Sequence, residues 1–417
     1  MHGTKKDISH NLALFFIDGV LFMPAMTFIA IATVIPFFLE YLGASTMQIA
    51  MAASLAFICT FLMQPLFGSI ASRTRVMSKT FGWILITQRV IFLAFALVIP
   101  LFAFSPPLLV WMFLFFWGVF NIFVGSYSVF FTPLLLKLLP PEKRGAMRGI
   151  GFAIGSLLGV GVAVLIPVII NRFVFPYNFV IIFASGTILL IFDAILFLLM
   201  REHEDVEPRV PLSVLQYIKG IPSSVKEDTL FRTMIIICTL MVVANALLPY
   251  YTLYALRVFN ATESHIANLS ALAIISAAVG FIIFGIIVDR WGPVLTSIIA
   301  ACFITVAGVL ALVSNSLSLL YVAWVFASLG NTCYLVTVSL LLDKVTSSGK
   351  IPLYVGVLTT ISLVLSSAVL LLLAPALERI GFSLLFWVVS ICGAGSLAVN
   401  LLSFSKQIKA QEMAIRK

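Results

Sequence analysis

The sequence predicts an all-α membrane protein whose twelve transmembrane helices form two pseudo-symmetric bundles of six. Three observations carry that expectation: an apolar composition, a series of apolar segments long enough to span a bilayer, and a motif repeated across the midpoint. Of the 417 residues, 62% are hydrophobic and only 10% are charged, with a mean hydropathy of +1.17. The 25 Lys and Arg and 16 Asp and Glu side chains are too few to cover a soluble protein carrying so much apolar surface. Lipid is therefore the solvent for most of the chain. The net charge of +9 does not indicate a nucleic-acid partner, because the basic residues sit in short clusters between apolar runs, as topogenic charges do.

A helix needs about 20 apolar residues to cross a hydrocarbon core of ~30 Å. On that basis the first half holds spans near 11–41, 47–71, 81–104, 107–136, 149–171 and 177–200. The second half holds spans near 231–256, 266–288, 293–313, 317–341, 351–375 and 381–404. Some runs exceed the bilayer thickness, so tilts or kinks are expected, with Pro24, Pro36, Pro100, Pro133 and Pro249 as candidate kink sites. Lys5 and Lys6 before the first run resemble a signal peptide, but the run is too long, carries Asp18 and offers no small-residue cleavage site, so it is read as a retained span. With the N-terminus inside, 21 Lys and Arg fall on the cytoplasmic side, against Arg172, Arg257 and Arg379 outside. That bias predicts a multi-pass protein of the cell (inner or plasma) membrane with both termini cytoplasmic.

The expected organisation is an N-terminal bundle over 1–200, a cytoplasmic linker over 201–230 and a C-terminal bundle over 231–417. The linker places Leu212, Leu215, Ile218 and Ile221 at helical spacing, which suits either a short helix on the membrane surface or a solvated tether. The five cysteines lie inside apolar runs with no CxxC spacing and read as small packing hydrophobes. No metal and no cofactor is expected.

The repeat is legible in the loops. After span two the chain reads Gly68-Ser-Ile-Ala-Ser-Arg73-Thr-Arg75, and after span eight Gly285-Ile-Ile-Val-Asp289-Arg290-Trp-Gly292. Both Gly and Arg recur 217 positions on, which points to a duplicated six-helix unit. The second copy resembles the G-x-x-x-D-R-x-G loop signature of the major facilitator superfamily. Ile35-Pro36 with Leu42-Gly43-Ala44-Ser45 and Gln48-Ile49 is similar to the family's first extracellular turn. Pro140-Pro141-Glu142-Lys143-Arg144-Gly145 is similar to its loop between spans four and five. The resemblance covers essentially the whole chain and implies a bacterial-type secondary carrier with the major facilitator fold. It also implies a gate role for Asp289 and Arg290 with Gly285 and Gly292. In the first copy only Gly68 and Arg73 keep the pattern, since Ser72 replaces the acid and Arg75 stands where the second Gly is expected.

Ionisable side chains inside a membrane are costly, which makes each a functional candidate. Asp18 in span one, Arg89 in span three and Asp193 in span six each lie seven or eight residues from the expected cytoplasmic end, about 10–12 Å deep. At a common depth they can neutralise one another. The reading divides between a proton or charge site centred on Asp18 and a structural Asp–Arg brace. Polar residues mark the candidate substrate faces: Asn121, Ser128 and Thr132 in span four, Asn245 with Tyr250 and Tyr251 in span seven, and Trp324, Ser328 and Asn331 in span ten. Family geometry puts spans one, four, seven and ten around a solute path. Interhelical hydrogen bonding is the competing use of the same residues. Gly151, Gly155 and Gly159 in span five form a small-residue ridge, without the Pro of the family's antiporter signature.

The leading functional reading is a monomeric secondary carrier of a small neutral or amphipathic solute, with protons as the candidate coupling ion. Efflux is placed ahead of uptake of a small polar solute such as a sugar. A non-transporting receptor and a membrane-embedded transferase stand outside transport. The transferase would need clustered acids or a His-Asp dyad at a membrane face, and the one acid cluster, Glu202 to Glu207, lies in the linker. No G-x-x-x-x-G-K loop is present for nucleotide-driven pumping.

Overall fold

The computed structural model describes residues 5–203, 228–345 and 351–408. Among them there is no strand, and twelve helices are long and apolar enough to cross a membrane. The proposed linker helix at Leu212 to Ile221 lies outside the described residues. The chain divides into two compact units, Met1–Val214 with Thr262–Ile274, and Leu215–Ala261 with Ile275–Lys417. The first half of span eight therefore groups with the first unit, where Ser270 donates a 2.7 Å hydrogen bond to the Thr33 hydroxyl.

In the first unit span one is interrupted. Its helix Lys5–Phe28 stops and a shorter one, Val34–Tyr41, resumes. Ala30 receives the Ile35 amide at 3.0 Å across the break, and Pro36, which has no N–H to donate, sits in the first turn of the new helix, where none is required. Gly43, at φ +75°, then reverses the chain into a capping box. Ser45 accepts from the Gln48 amide, and the Gln48 side chain accepts from the Ser45 amide. Such a box satisfies two orphan donors and is worth about 1 kcal/mol. It fixes the start of span two (Thr46–Arg73).

Spans three (Met77–Phe102), four (Pro106–Leu138), five (Pro141–Arg172) and six (Tyr177–Leu199) complete this unit. Span one packs on five and six, two on four, and three on six and four. Phenylalanine fills the seams. Phe15, Phe81, Phe130, Phe131 and Phe197 form one buried core, with Phe81 and Phe130 stacked at 5.7 Å. A second aromatic group joins Phe38, Phe92, Phe95, Phe113, Phe179 and Phe183, with the Trp117 indole N–H donating to the Ala52 carbonyl.

The second unit repeats the broken span. Helix Thr229–Ala246 gives way at Leu247 to helix Leu248–Phe259, 217 positions on from Ala30. The cause is local: Pro249 has no N–H to continue the ladder and is tolerated only in a first turn. Asp228 caps the start of span seven through the Phe231 amide, and the Tyr354 hydroxyl of span eleven reaches the same carboxylate at 3.1 Å. Spans nine (Pro293–Leu312), ten (Leu317–Val345), eleven (Ile351–Ile380) and twelve (from Ser383) surround it. Of the remaining proline kink candidates, Pro24, Pro100 and Pro133 stay inside continuous helices.

Candidate functional site

The three charged residues expected at a common depth meet in the core of the first unit. The Arg89 guanidinium donates to the Asp193 carboxylate at 2.8 Å and to the Leu190 carbonyl. Asp18 then meets Asp193 from span one, carboxyl against carboxyl, a contact that becomes a hydrogen bond only when one of the two holds a proton. Relative exposure is 0% for Asp18, 0% for Asp193 and 2% for Arg89, so water does not neutralise any of them. Among the described side chains Arg89 and Asp193 form an ion pair, and Asp18 lies beside Asp193.

Glycine brings span one close enough for this. A Cβ added at Gly19 would lie 3.0 Å from the Gly151 backbone, and one at Gly155 would lie 2.3 Å from the Gly19 carbonyl oxygen. The ridge expected in span five is therefore the seam against which Asp18's neighbour rests, with Gly159 at the Thr27 hydroxyl.

The uncharged candidates fall into separate places. In span four the buried Asn121 side-chain amide donates to the Trp117 carbonyl of its own helix at 2.8 Å, and the Asn121 backbone carbonyl accepts from the Thr60 hydroxyl of span two. Gln64, one turn beyond Thr60, donates to the Ser128 hydroxyl at 3.3 Å, while Thr132 is exposed. This polar face runs along span two for Asn121 and Ser128. Thr60 and Gln64 were missed as candidates, although their four-residue spacing in an apolar span was the available signal. In the second unit the half-buried Asn245 donates to Met241 just below the break in span seven. Tyr250 is fully buried and donates to the Leu370 carbonyl of span eleven. Tyr251 packs its ring 6.0 Å from Trp324 and 5.1 Å from Phe386. Ser328 is buried one turn from Trp324, and Asn331 is half-buried.

The two gate loops differ in build. After span eight a single residue, Gly292, turns the chain into Pro293, and it does so at φ +82° and ψ 166°, a region only glycine occupies readily. After span two, three residues (74–76) make the turn in extended conformation, with Thr74 at φ −89° and Val76 at φ −120°. No left-handed residue is needed there, which is why Arg75 is tolerated where the motif has Gly. Arg73, Asp289 and Arg290 are exposed, and Gly68 and Gly285 have room for a side chain.

A second polar cluster lies where span six ends, and no local motif marks it. Glu202 accepts from the Ser78 amide at 2.6 Å and from the Lys137 ammonium at 2.7 Å. Asn11 makes two 2.9 Å hydrogen bonds with the backbone of Arg201, whose guanidinium pairs with Asp7 at 3.2 Å. A groove of about 540 Å³, lined among others by Asn171, Arg172, Ser264 and Asn268, was also unforeseen. Among the described residues no three His, Cys, Asp or Glu side chains cluster to hold a metal ion.

Comparison with known proteins adds the family. The sequence profile described as Major Facilitator Superfamily matches residues 17–369. No curated protein matches the chain. Several solved structures share its fold at low identity. A bacterial homolog of the human lysosomal transporter Spinster, in an inward-facing and unoccupied conformation, aligns over 97% of this chain and 96% of its own, with TM-score 0.61 and 14% identity. A POT family transporter in complex with 5-aminolevulinic acid aligns over 95% and 96%, with TM-score 0.72 and 14% identity. The human organic anion transporter MFSD10 (TETRAN) aligns over 94% and 99%, with TM-score 0.63 and 15% identity. With twelve spans, two broken helices and a profile match over most of its length, this chain belongs to the major facilitator superfamily of transporters.

Proposed function

We propose that this protein is a secondary active transporter that exports a small neutral or amphipathic solute across the cell membrane in exchange for protons, working by alternating access. The observation that carries the solute class is the engagement of the charges. Among the described residues, Arg89 and Asp193 deep in the spans are ion-paired with Asp18 beside them, and the candidate faces of spans four, seven and ten offer amides, hydroxyls and aromatic rings. Such faces hold a solute by apolar contact and a few hydrogen bonds, whereas an anion would call for a fixed cation on the path. Interrupted helices in spans one and seven fit alternating access, because breaks in repeat-related helices are where carriers of this kind bind and bend. Asp289 and Arg290 serve as the gate residues of the second half in this reading. The family is one of transporters, and this reading assigns no catalytic residues.

The test is a thermal-shift screen on the purified protein followed by transport in proteoliposomes. A ligand at a hundred times its Kd stabilises the native state by about 2.7 kcal/mol, enough to raise the midpoint measurably. Neutral amphipathic compounds are expected to stabilise the protein and to be driven by an imposed pH gradient. Stabilisation by sugars alone, with accumulation rather than extrusion, would replace this reading with uptake.

A further inference from the structure

We infer that the groove between the ends of spans five and eight is a phospholipid site, in which Arg172 binds the headgroup phosphate and an acyl chain lies along the cleft. The inference is independent of the transported solute, because none of the groove's lining residues belongs to the candidate faces of spans four, seven and ten.

The first argument is how two helices build the groove. Span five contributes Val164, Pro167, Val168 and Asn171, and span eight contributes Ser264, Ala267, Asn268 and Ala271. Each set follows the i, i+3, i+4, i+7 spacing of one helix face, so two continuous stripes line the cleft. The span-eight stripe carries no side chain larger than asparagine, which leaves a space of about 540 Å³ between the helices. That volume falls within the range of small-molecule sites. Val164 and Val168 are exposed, so the groove is open along its side.

The second argument is that polarity is sorted by depth. Arg172 closes span five and Ser264 stands in the first turn of span eight, so both mark the end of a membrane span. At 1.5 Å per residue, Asn171 and Asn268 lie within about 6 Å of those ends. Val168, Pro167, Ala271 and Val164 follow at about 6–12 Å. Each leaflet of a ~30 Å hydrocarbon core is about 15 Å deep, so the apolar part of the groove follows most of one leaflet. A water-soluble anion would use only the surface end. An amphiphile anchored in that leaflet uses both.

The third argument is the chemistry of the surface end. A guanidinium, two carboxamides and a hydroxyl can all donate hydrogen bonds, and no carboxylate lines the groove. Glu263, next to Ser264, lines a separate, narrow cavity with Ile166, Ile170 and Ile266. Among the described residues, none of the four polar side chains has a hydrogen-bond or ion-pair partner within the protein, so the charge of Arg172 is available to a ligand. A planar guanidinium takes two oxygens of a phosphodiester side by side, and the neighbouring amides donate to others.

Native mass spectrometry of the purified full chain, titrated with dioleoyl phosphatidylglycerol, tests the site. Wild type is expected to retain one tightly held lipid. Arg172→Gln should weaken retention at least tenfold, and Arg172→Lys should weaken it less, since lysine keeps the charge and loses the fork. Ala271→Leu, which fills the apolar end without touching the charge, should weaken it too. Arg379→Gln, which removes an exposed cation at the end of span eleven, should leave it unchanged. Thermal midpoints measured without lipid separate lost binding from lost fold; Arg172 is exposed, so its variants are expected to keep the wild-type value. Equal losses in Arg172→Gln and Arg379→Gln would reveal diffuse attraction and overturn the site. So would retention of dioleoylglycerol, which has the chains but no phosphate, as tight as that of the phospholipid. Inorganic phosphate is the remaining probe. If it raises the wild-type midpoint as much as the phospholipid does, and Arg172→Gln abolishes the rise, the groove binds a free anion and the lipid assignment fails.

Discussion

Glu202 and Ser78 lie 124 positions apart in the chain, yet the Glu202 carboxylate accepts a 2.6 Å hydrogen bond from the Ser78 backbone amide. Ser78 is in the first turn of span three, where amides have no helical partner, so the fully buried carboxylate completes that terminus and complements its dipole. The Lys137 ammonium, at the end of span four, binds the other oxygen at 2.7 Å. The chain leaving span six is thereby tied to spans three and four, and through Arg201 to Asp7 and Asn11 of span one.

Glu202→Gln should cost about 2 kcal/mol of stability, the usual loss for a hydrogen bond to a charged group. Lys137→Met should cost less, since that side chain is partly solvated. In thermal unfolding, the double variant should lose clearly less than the sum of the two. Strict additivity would show that the two groups do not act together.

Gly292→Ala should destabilise the protein by about 1–3 kcal/mol, because its φ of +82° with ψ of 166° is strained for any residue with a Cβ. Gly285→Ala should be neutral or slightly stabilising, since nothing lies within 4 Å of the added Cβ. Comparable losses at both positions, measured by thermal midpoint, would mean that the motif's glycines serve something other than backbone geometry.

Gly155→Ala should force spans one and five apart, as its Cβ would sit 2.3 Å from the Gly19 carbonyl oxygen. An overpacked seam of this kind costs about 1–3 kcal/mol. Gly161→Ala, in the same span with nothing within 4 Å, is the control and should leave the midpoint unchanged.

Asp289→Asn should leave the fold intact while raising the labelling of cysteines introduced on the cytoplasmic side, since it removes the charge that the loop offers its partner. Unchanged labelling with unchanged transport would take the gate role from Asp289.

A reporter placed after Lys417 or between His203 and Glu207 should read cytoplasmic, and one near Ala261 external. A cytoplasmic signal near Ala261 would reverse the assigned orientation.

The sequence by itself determined the solvent, the number of spans, the repeat and the family, because each depends on composition or on spacing along one helix. Twenty apolar residues span a bilayer whatever they pack against, and Gly285 to Gly292 is a contiguous motif. It also placed Asp18, Arg89 and Asp193 at one depth, since depth is a matter of counting residues from a helix end. Only the tertiary structure decided who pairs with whom. Depth leaves the azimuth of each helix open, so it could not tell that Arg89 faces Asp193 while Asp18 reaches the pair from span one. The same holds for span four, where the Asn121 backbone carbonyl and the Ser128 hydroxyl accept from Thr60 and Gln64 of span two, and for Tyr250, whose hydroxyl finds a carbonyl of span eleven. In the sequence Glu202 is one acid of a linker cluster, because nothing local marks a carboxylate that will meet a helix terminus 124 residues away. Contacts of that range are fixed by packing, and packing is set by all the helices together.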